Sequence, residues 1–378
     1  MPDLRMIFRP WPLAAVSCLL VAVAVILVNN GDPLALVTLG TRFSEGIPET
    51  AGGTEGYDGQ FVYYIARDPA TAPDYLDIPA YRFQRILLPM AARTLALGQT
   101  ALIPWALLAI NLAALAAGTW LLERLLVAHG MSRWYALVYG LTIGIFGAVR
   151  LSLPEPLAYA LALGGITLAS RERWGGSAVL FALAALAKET VLVFVAAYAL
   201  CLLHEGRWRN LILFTGIAVT PFIVWQIILK VTLGSFGIGS GGALATSFEV
   251  IPFAGVIRIF SDSPREAWPA LLLIYSAILI PFVLIPTLWG LRQGFLALRR
   301  GDWSAVALLL LVNALVLPFV PFSTYREPIG ILRFIVGLQI AVLLYAAARR
   351  DSRVLRLSTI WIVTILFLGV LVGGGGVR

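Results

Sequence analysis

The stretch Thr100-Ala-Leu-Ile-Pro-Trp105-Ala-Leu-Leu-Ala-Ile110-Asn-Leu-Ala-Ala-Leu115-Ala-Ala-Gly-Thr-Trp120-Leu-Leu122 carries no charge over 23 residues. At about 1.5 Å per helical residue it is long enough to cross the roughly 30 Å hydrocarbon core of a bilayer. Arg93 precedes it and Glu123-Arg124 closes it. Apolar runs bounded in this way also occur at 11–29, 134–149, 154–170, 174–187, 190–204, 210–230, 268–291, 303–321, 330–348 and 357–374. Together they predict an all-α, polytopic transmembrane helix bundle of about 11 spans, a single integral membrane domain over 1–378.

Composition agrees with this reading. Of 378 residues, 60% are hydrophobic and 13% charged, and the mean hydropathy is +0.89. Soluble chains average about 45–50% apolar and about 25% charged, so a soluble enzyme is excluded. Cys18 and Cys201 both lie in apolar runs, which excludes a disulfide scaffold, and His129 and His204 are too far apart for a histidine metal site. The net charge of +8 reflects arginine collected in loops and gives no reason to expect a nucleic-acid partner. The first run follows Arg5 and Arg9 and lacks a small-residue cleavage site, so it reads as a retained signal anchor.

With the N-terminus inside, the inner loops hold 15 Lys and Arg against six acids, and the outer segments 13 against 14. That asymmetry satisfies the positive-inside rule and, with no transit peptide, suits a bacterial cytoplasmic (inner) membrane. It requires residues 80–98 to lie at the interface. Arg82, Arg85 and Arg93 then share an arc of about 80° facing the outer headgroups. Making 84–98 a span instead would invert everything downstream. Two outer segments are long: 30–99, with its interfacial helix, and 231–267, which opens with the Gly/Ser stretch 234–242. The runs at 134–149, 154–170, 174–187 and 190–204 are too short to cross comfortably, so the turns Arg150 to Glu155 and Lys188-Glu189 should sink below the bilayer surface and line an outward-facing cleft.

The first outer segment is acidic and contains Glu55-Gly-Tyr57-Asp58-Gly-Gln-Phe-Val-Tyr-Tyr-Ile-Ala-Arg67. Gly59 permits a sharp turn, and Phe61, Tyr64 and Ile65 have helical spacing, which places Asp58 at a helix N-terminus. There its carboxylate is either a proton acceptor or metal ligand, or a plain N-cap. Asp77-Ile-Pro-Ala-Tyr81-Arg82-Phe-Gln-Arg85 comes next, with two guanidinium groups that either grip a lipid-linked phosphate or snorkel to headgroups. Arg150, Glu155, Lys188, Glu189, Lys230, Arg326, Glu327 and Arg333 fall on the same face. Adjacent Lys188-Glu189 and Arg326-Glu327 could equally be structural ion pairs tying helices together.

Tyr57-Asp58-Gly59-Gln60-Phe61, Tyr81-Arg82 with Arg85, and Leu186-Ala187-Lys188-Glu189-Thr190 resemble the polytopic GT-C glycosyltransferases, in arrangement over most of the chain and in sequence over these short stretches. The resemblance implies a sugar donor linked to polyprenyl phosphate, an inverting transfer, and Asp58 as catalytic base or metal ligand. It implies that Arg82 and Arg85 hold the donor phosphate, with Lys188 and Arg326 behind them, and that Glu55, Tyr57, Tyr81, Glu155 and Glu189 support them. Many members have two closely spaced acids in this loop. Here Glu55 and Asp58 are three apart, which leaves open whether a divalent metal, Mg or Mn, takes part. Many also carry a soluble C-terminal domain, so the acceptor here is expected to meet the bundle itself or a partner protein that presents it. The 234–242 stretch is expected to close over the donor. Replacing Asp58 by Asn is expected to abolish transfer without loss of stability. A transporter or lipid flippase is the main alternative, and a scaffolding subunit a third.

Overall fold

The computed structural model describes residues 9–241 and 246–369. Arg5, the last residue of the 234–242 stretch and the end of the 357–374 run lie outside the described residues. Among those described the protein is all-helical, with no strand. Four helices are long and apolar enough to cross a membrane: Pro10–Val28, Thr100–Ala128, Trp208–Leu233 and Arg265–Arg299. Pro328–Phe334 and Val336–Ala348, joined by a 42° bend, make a fifth if taken as one span. Helices of this length and polarity mark a membrane-embedded protein.

At the centre stands Val336–Ala348, buried at every position from Val336 to Ala347. A helix this apolar on all sides has no face that calls for water and can sit in the interior of the bundle. Ala305–Val316 and Ile285–Arg299 pack against it, while Ile103–Ala128, Glu155–Ala169, Trp174–Ala187 and Trp208–Leu233 form a row in contact order beside it. The 174–187 run is helical over the residues expected, because Arg171-Glu172-Arg173 and Lys188 bound it closely. Fourteen residues at about 1.5 Å each reach only about 21 Å, so its neighbouring turns cannot both arrive at a 30 Å boundary.

The 134–149 run is not one helix, which corrects the reading from hydropathy. It divides into Arg133–Ala136, Leu137–Gly140 and Ile143–Arg150. Thr142 takes an extended conformation at the break, and the Ile143 amide donates to Thr364 Oγ1 at 3.1 Å. A side-chain acceptor from another part of the chain thus replaces the missing helical bond, which makes a broken backbone tolerable inside protein. Similarly, a π-helical turn spans Ile280–Leu284 around Pro281, and Trp361 Nε1 donates to the Phe282 carbonyl at 3.0 Å.

Residues 80–98 are also not a single interfacial helix. Pro79–Phe83 and Leu87–Leu95 are separate, and the arginines do not form an outward stripe. Arg82 is buried beneath the loop, Arg85 is half-buried, and Arg93 donates to the carbonyls of Ala66 and Arg67. Carboxylates and carbonyls of the same protein have replaced the headgroups as their partners.

Candidate active site

Asp58 occupies the N-cap position of the helix Gly59–Arg67, yet its side chain makes no capping bond. The loop before it is fixed from both sides. Gln60, itself buried, accepts from the Gly40 amide at 3.0 Å and donates to the Glu55 carbonyl at 2.6 Å, while the Tyr57 amide donates to the Thr38 carbonyl at 2.9 Å. Gly59 is required by packing, not by the sharp turn expected of it. A Cβ there would lie 2.0 Å from the Leu151 carbonyl oxygen, so the helix start rests directly on the 151–154 turn.

Freed from capping, the Asp58 carboxylate binds two cations. Arg82 Nη1 donates to Oδ1 at 2.9 Å and Arg333 Nη2 to Oδ2 at 3.2 Å. Behind Asp58, Arg82 is clamped by Asp77, with Nε and Nη2 each donating at 2.7 Å, and its guanidinium lies 4.2 Å from the Phe61 ring centre. Arg85 forms the same two-bond fork with Glu189, at 2.9 and 2.7 Å, and also donates to the Tyr81 hydroxyl at 2.9 Å. Lys188 donates to Glu155 Oε1 at 2.6 Å, and Arg333 Nε lies 3.7 Å from that same oxygen. The Tyr57 hydroxyl donates to Glu327, and Arg333 sits over the Tyr57 ring at 5.3 Å. The adjacent Lys188 and Glu189 therefore do not pair within their turn. Each reaches a different element.

These groups surround a narrow, partly open cleft. Asp58, Arg82, Arg85, Glu155 and Arg333 supply its charged wall, and Phe61, Val62, Ile65, Pro89, Leu153 and Pro154 the apolar one. Burial alone would raise the Asp58 carboxyl, but Arg82, then Arg333 and Arg85, outweigh it and hold the group well below the usual carboxylate range. Glu327 is shifted the other way: burial pushes its carboxyl up, and Arg333 offsets this only in part.

Of the residues singled out in the sequence, Asp58, Arg82, Arg85 and Glu155 line the cleft, and Tyr57, Tyr81, Lys188 and Glu189 bond to groups around it. Glu55 and Arg326 stand apart. Glu55 pairs with Arg42 at 3.1 Å, and the exposed Arg326 lies over Phe322 at 5.7 Å without lining the cleft. Arg326 and Glu327 do not pair with each other, since Glu327 turns to Tyr57. Arg333, placed on this face from the sequence, lines the cleft as well, whereas its bond to Asp58 and the clamp that Asp77 sets on Arg82 were not read there. The signal for Arg333 was present, because an arginine within Ile329-Gly-Ile-Leu-Arg333-Phe-Ile-Val is an ionisable group inside an apolar run.

The donor set does not suit a divalent ion. Both Asp58 oxygens already accept from guanidinium groups, and among the described residues no three His, Cys, Asp or Glu side chains converge as ligands. The Mg or Mn allowed by the resemblance finds no ligand set built for it here. Comparisons of the chain with protein-family models, with curated proteins and with solved structures return no match.

Proposed function

We propose that this chain is a membrane glycosyltransferase, which moves a sugar from a polyprenyl-phosphate donor to an acceptor hydroxyl at the outer face of a bacterial cytoplasmic membrane. The observation that supports this best is Asp58: an ionised carboxylate at a helix start, capping nothing, set between two arginines on an open cleft. The chain would cross the membrane about eleven times. The broken stretch after Arg133 counts as one crossing, since Arg133 pairs with Glu123 near one end of the bundle and Arg150 bonds Thr38 near the other.

In the proposed reaction the acceptor oxygen attacks the anomeric carbon as the bond from that carbon to the phosphate oxygen breaks. The acceptor proton passes to Asp58, and polyprenyl phosphate departs with the bonding pair, so the configuration inverts. Arg85 is oriented by Glu189 and Tyr81 with Nη1 left over, and Arg82 by Asp77, so both present positive charge where the leaving phosphate gains negative charge. The apolar wall suits the first isoprene units of the lipid. Donor phosphate competes with Asp58 for Arg82 Nη1. As that arginine turns to the phosphate, Asp58 loses part of what kept it a weak base, and donor binding thereby prepares proton transfer.

The test is turnover by the full chain in proteoliposomes, supplied with farnesyl-phosphate hexoses and scored for sugar transfer or release. Wild type should turn over and Asp58→Asn should not. Because Asp58 holds two guanidinium groups, this substitution is also expected to destabilise the protein, contrary to the expectation from sequence, so rates are compared per folded molecule. Wild-type turnover by Asp58→Asn would remove Asp58 from the mechanism, and binding without turnover in wild type would favour a carrier.

A further inference from the structure

The cleft contains a second feature that the transfer step does not use. Glu155 is only 2% exposed and lines the cleft, yet Lys188 engages only its Oε1, and Oε2 has no hydrogen-bond partner among the described residues. Arg333 also lines the cleft, and its Nε makes no hydrogen bond, since 3.7 Å to Glu155 Oε1 is an ion-pair distance only. A buried acceptor and a buried donor left unpaired side by side are costly unless something supplies the complementary groups.

The chemistry of the missing group is constrained. It must donate to a carboxylate oxygen and accept from a guanidinium N–H. A phosphate only accepts and would be repelled by Glu155, and an ammonium only donates. On a single atom a hydroxyl or a water does both. We propose that Glu155 Oε2 and Arg333 Nε read one hydroxyl of the transferred sugar, making Glu155 a specificity-determining residue. The inference rests on the reading of this cleft as a donor site. It divides the cleft in two, with Arg82 and Arg85 on the phosphate side and Glu155 on the sugar side. Lys188 is then a positioning residue that holds Oε1 and leaves Oε2 to the ligand.

The experiment measures binding, so that it needs no turnover. Full-length protein in nanodiscs is titrated calorimetrically with farnesyl-phosphate glucose, galactose and mannose, and with the monodeoxy analogues of whichever binds. A charge-assisted bond should make one analogue bind wild type about 10- to 100-fold more weakly than its parent. Glu155→Gln should weaken the parent by a similar factor while leaving that analogue within about three-fold of its affinity for wild type, the non-additivity of a shared contact. Glu155→Asp keeps a charge for Lys188 but withdraws the carboxylate by one methylene, and should show the same pattern if the Gln variant folds poorly. Equal weakening of parent and analogues by both variants, or no discriminating analogue, would overturn the hydroxyl site and leave water as the occupant. Absence of binding by every conjugate would overturn the donor reading and this inference with it. Hydroxyl discrimination without sugar release would overturn only the transfer step.

Discussion

At the end of the bundle where Arg207 meets Glu172 and Arg349 meets Asp302, every one of these side chains keeps more than a quarter of its surface in contact with solvent. At the opposite end, Lys188 and Glu155 keep 7% and 3%, and Arg82 and Asp77 7% and 8%. Both ends pair opposite charges at helix termini, and the two kinds of pair are not equivalent. Exposed pairs contribute little and their cations serve sidedness. Buried pairs carry a desolvation cost that packing would ordinarily avoid, and they persist where something must be held at a fixed place. Under the proposed function, the exposed pairs bear on orientation in the membrane and the buried ones on chemistry.

The largest expected effect comes from paired aspartates. Asp58→Asn should lower transfer by about 10²- to 10⁴-fold per folded molecule, the range lost with a general base. Asp302→Asn should leave the rate within about two-fold, as for an exposed ion pair. Comparable losses in the two assays would break the division. Next, Lys188→Met leaves Glu155 buried without a hydrogen-bonded cation and with only Arg333 at ion-pair distance, which should cost about 3 kcal/mol in chemical denaturation, whereas Arg207→Met should cost at most about 1 kcal/mol. The glycines sharpen the same point. Gly59→Ala drives a Cβ into the Leu151 carbonyl and should cost about 1–3 kcal/mol while shifting Asp58, but Gly175, with nothing within 4 Å, should accept alanine within about 1 kcal/mol.

The smallest effect is in pH. The arginines hold the folded Asp58 carboxyl below its ordinary value, so its contribution to stability is complete above that value and lost as pH falls through the depressed one. Melting curves of wild type and Asp58→Asn should accordingly be furthest apart near neutrality and draw together below about pH 4. A gap that stays constant with pH would mean that folding leaves the Asp58 carboxyl unshifted and that the two arginines do not act on it as described.

Much of the bundle was legible because hydropathy and bracketing charge act locally. The 174–187 helix is bounded by charge immediately at each end. The break at Thr142 was not legible, since its cause is Thr364, more than two hundred residues away. Asp58 could be placed at a helix start from the spacing of its aromatic neighbours, but whether it capped that helix depended on Arg82 and Arg333. The inward turn of Arg82 depended on Asp77, whose place beside it is set by the fold at Ile78-Pro79 and not by helical spacing. Pairing across the chain decides the site, and periodicity within one segment does not report it.

Lys188 and Glu189 are neighbours pulled toward different elements, one to Glu155 at the start of a helix and the other to Arg85 in the turn between two short helices. This makes the turn intolerant of length change in a way ordinary loops are not. One inserted residue would rotate the succeeding helix by about 100° and deprive two separate anchors at once. This dipeptide fixes the rotational phase of the two helices it joins.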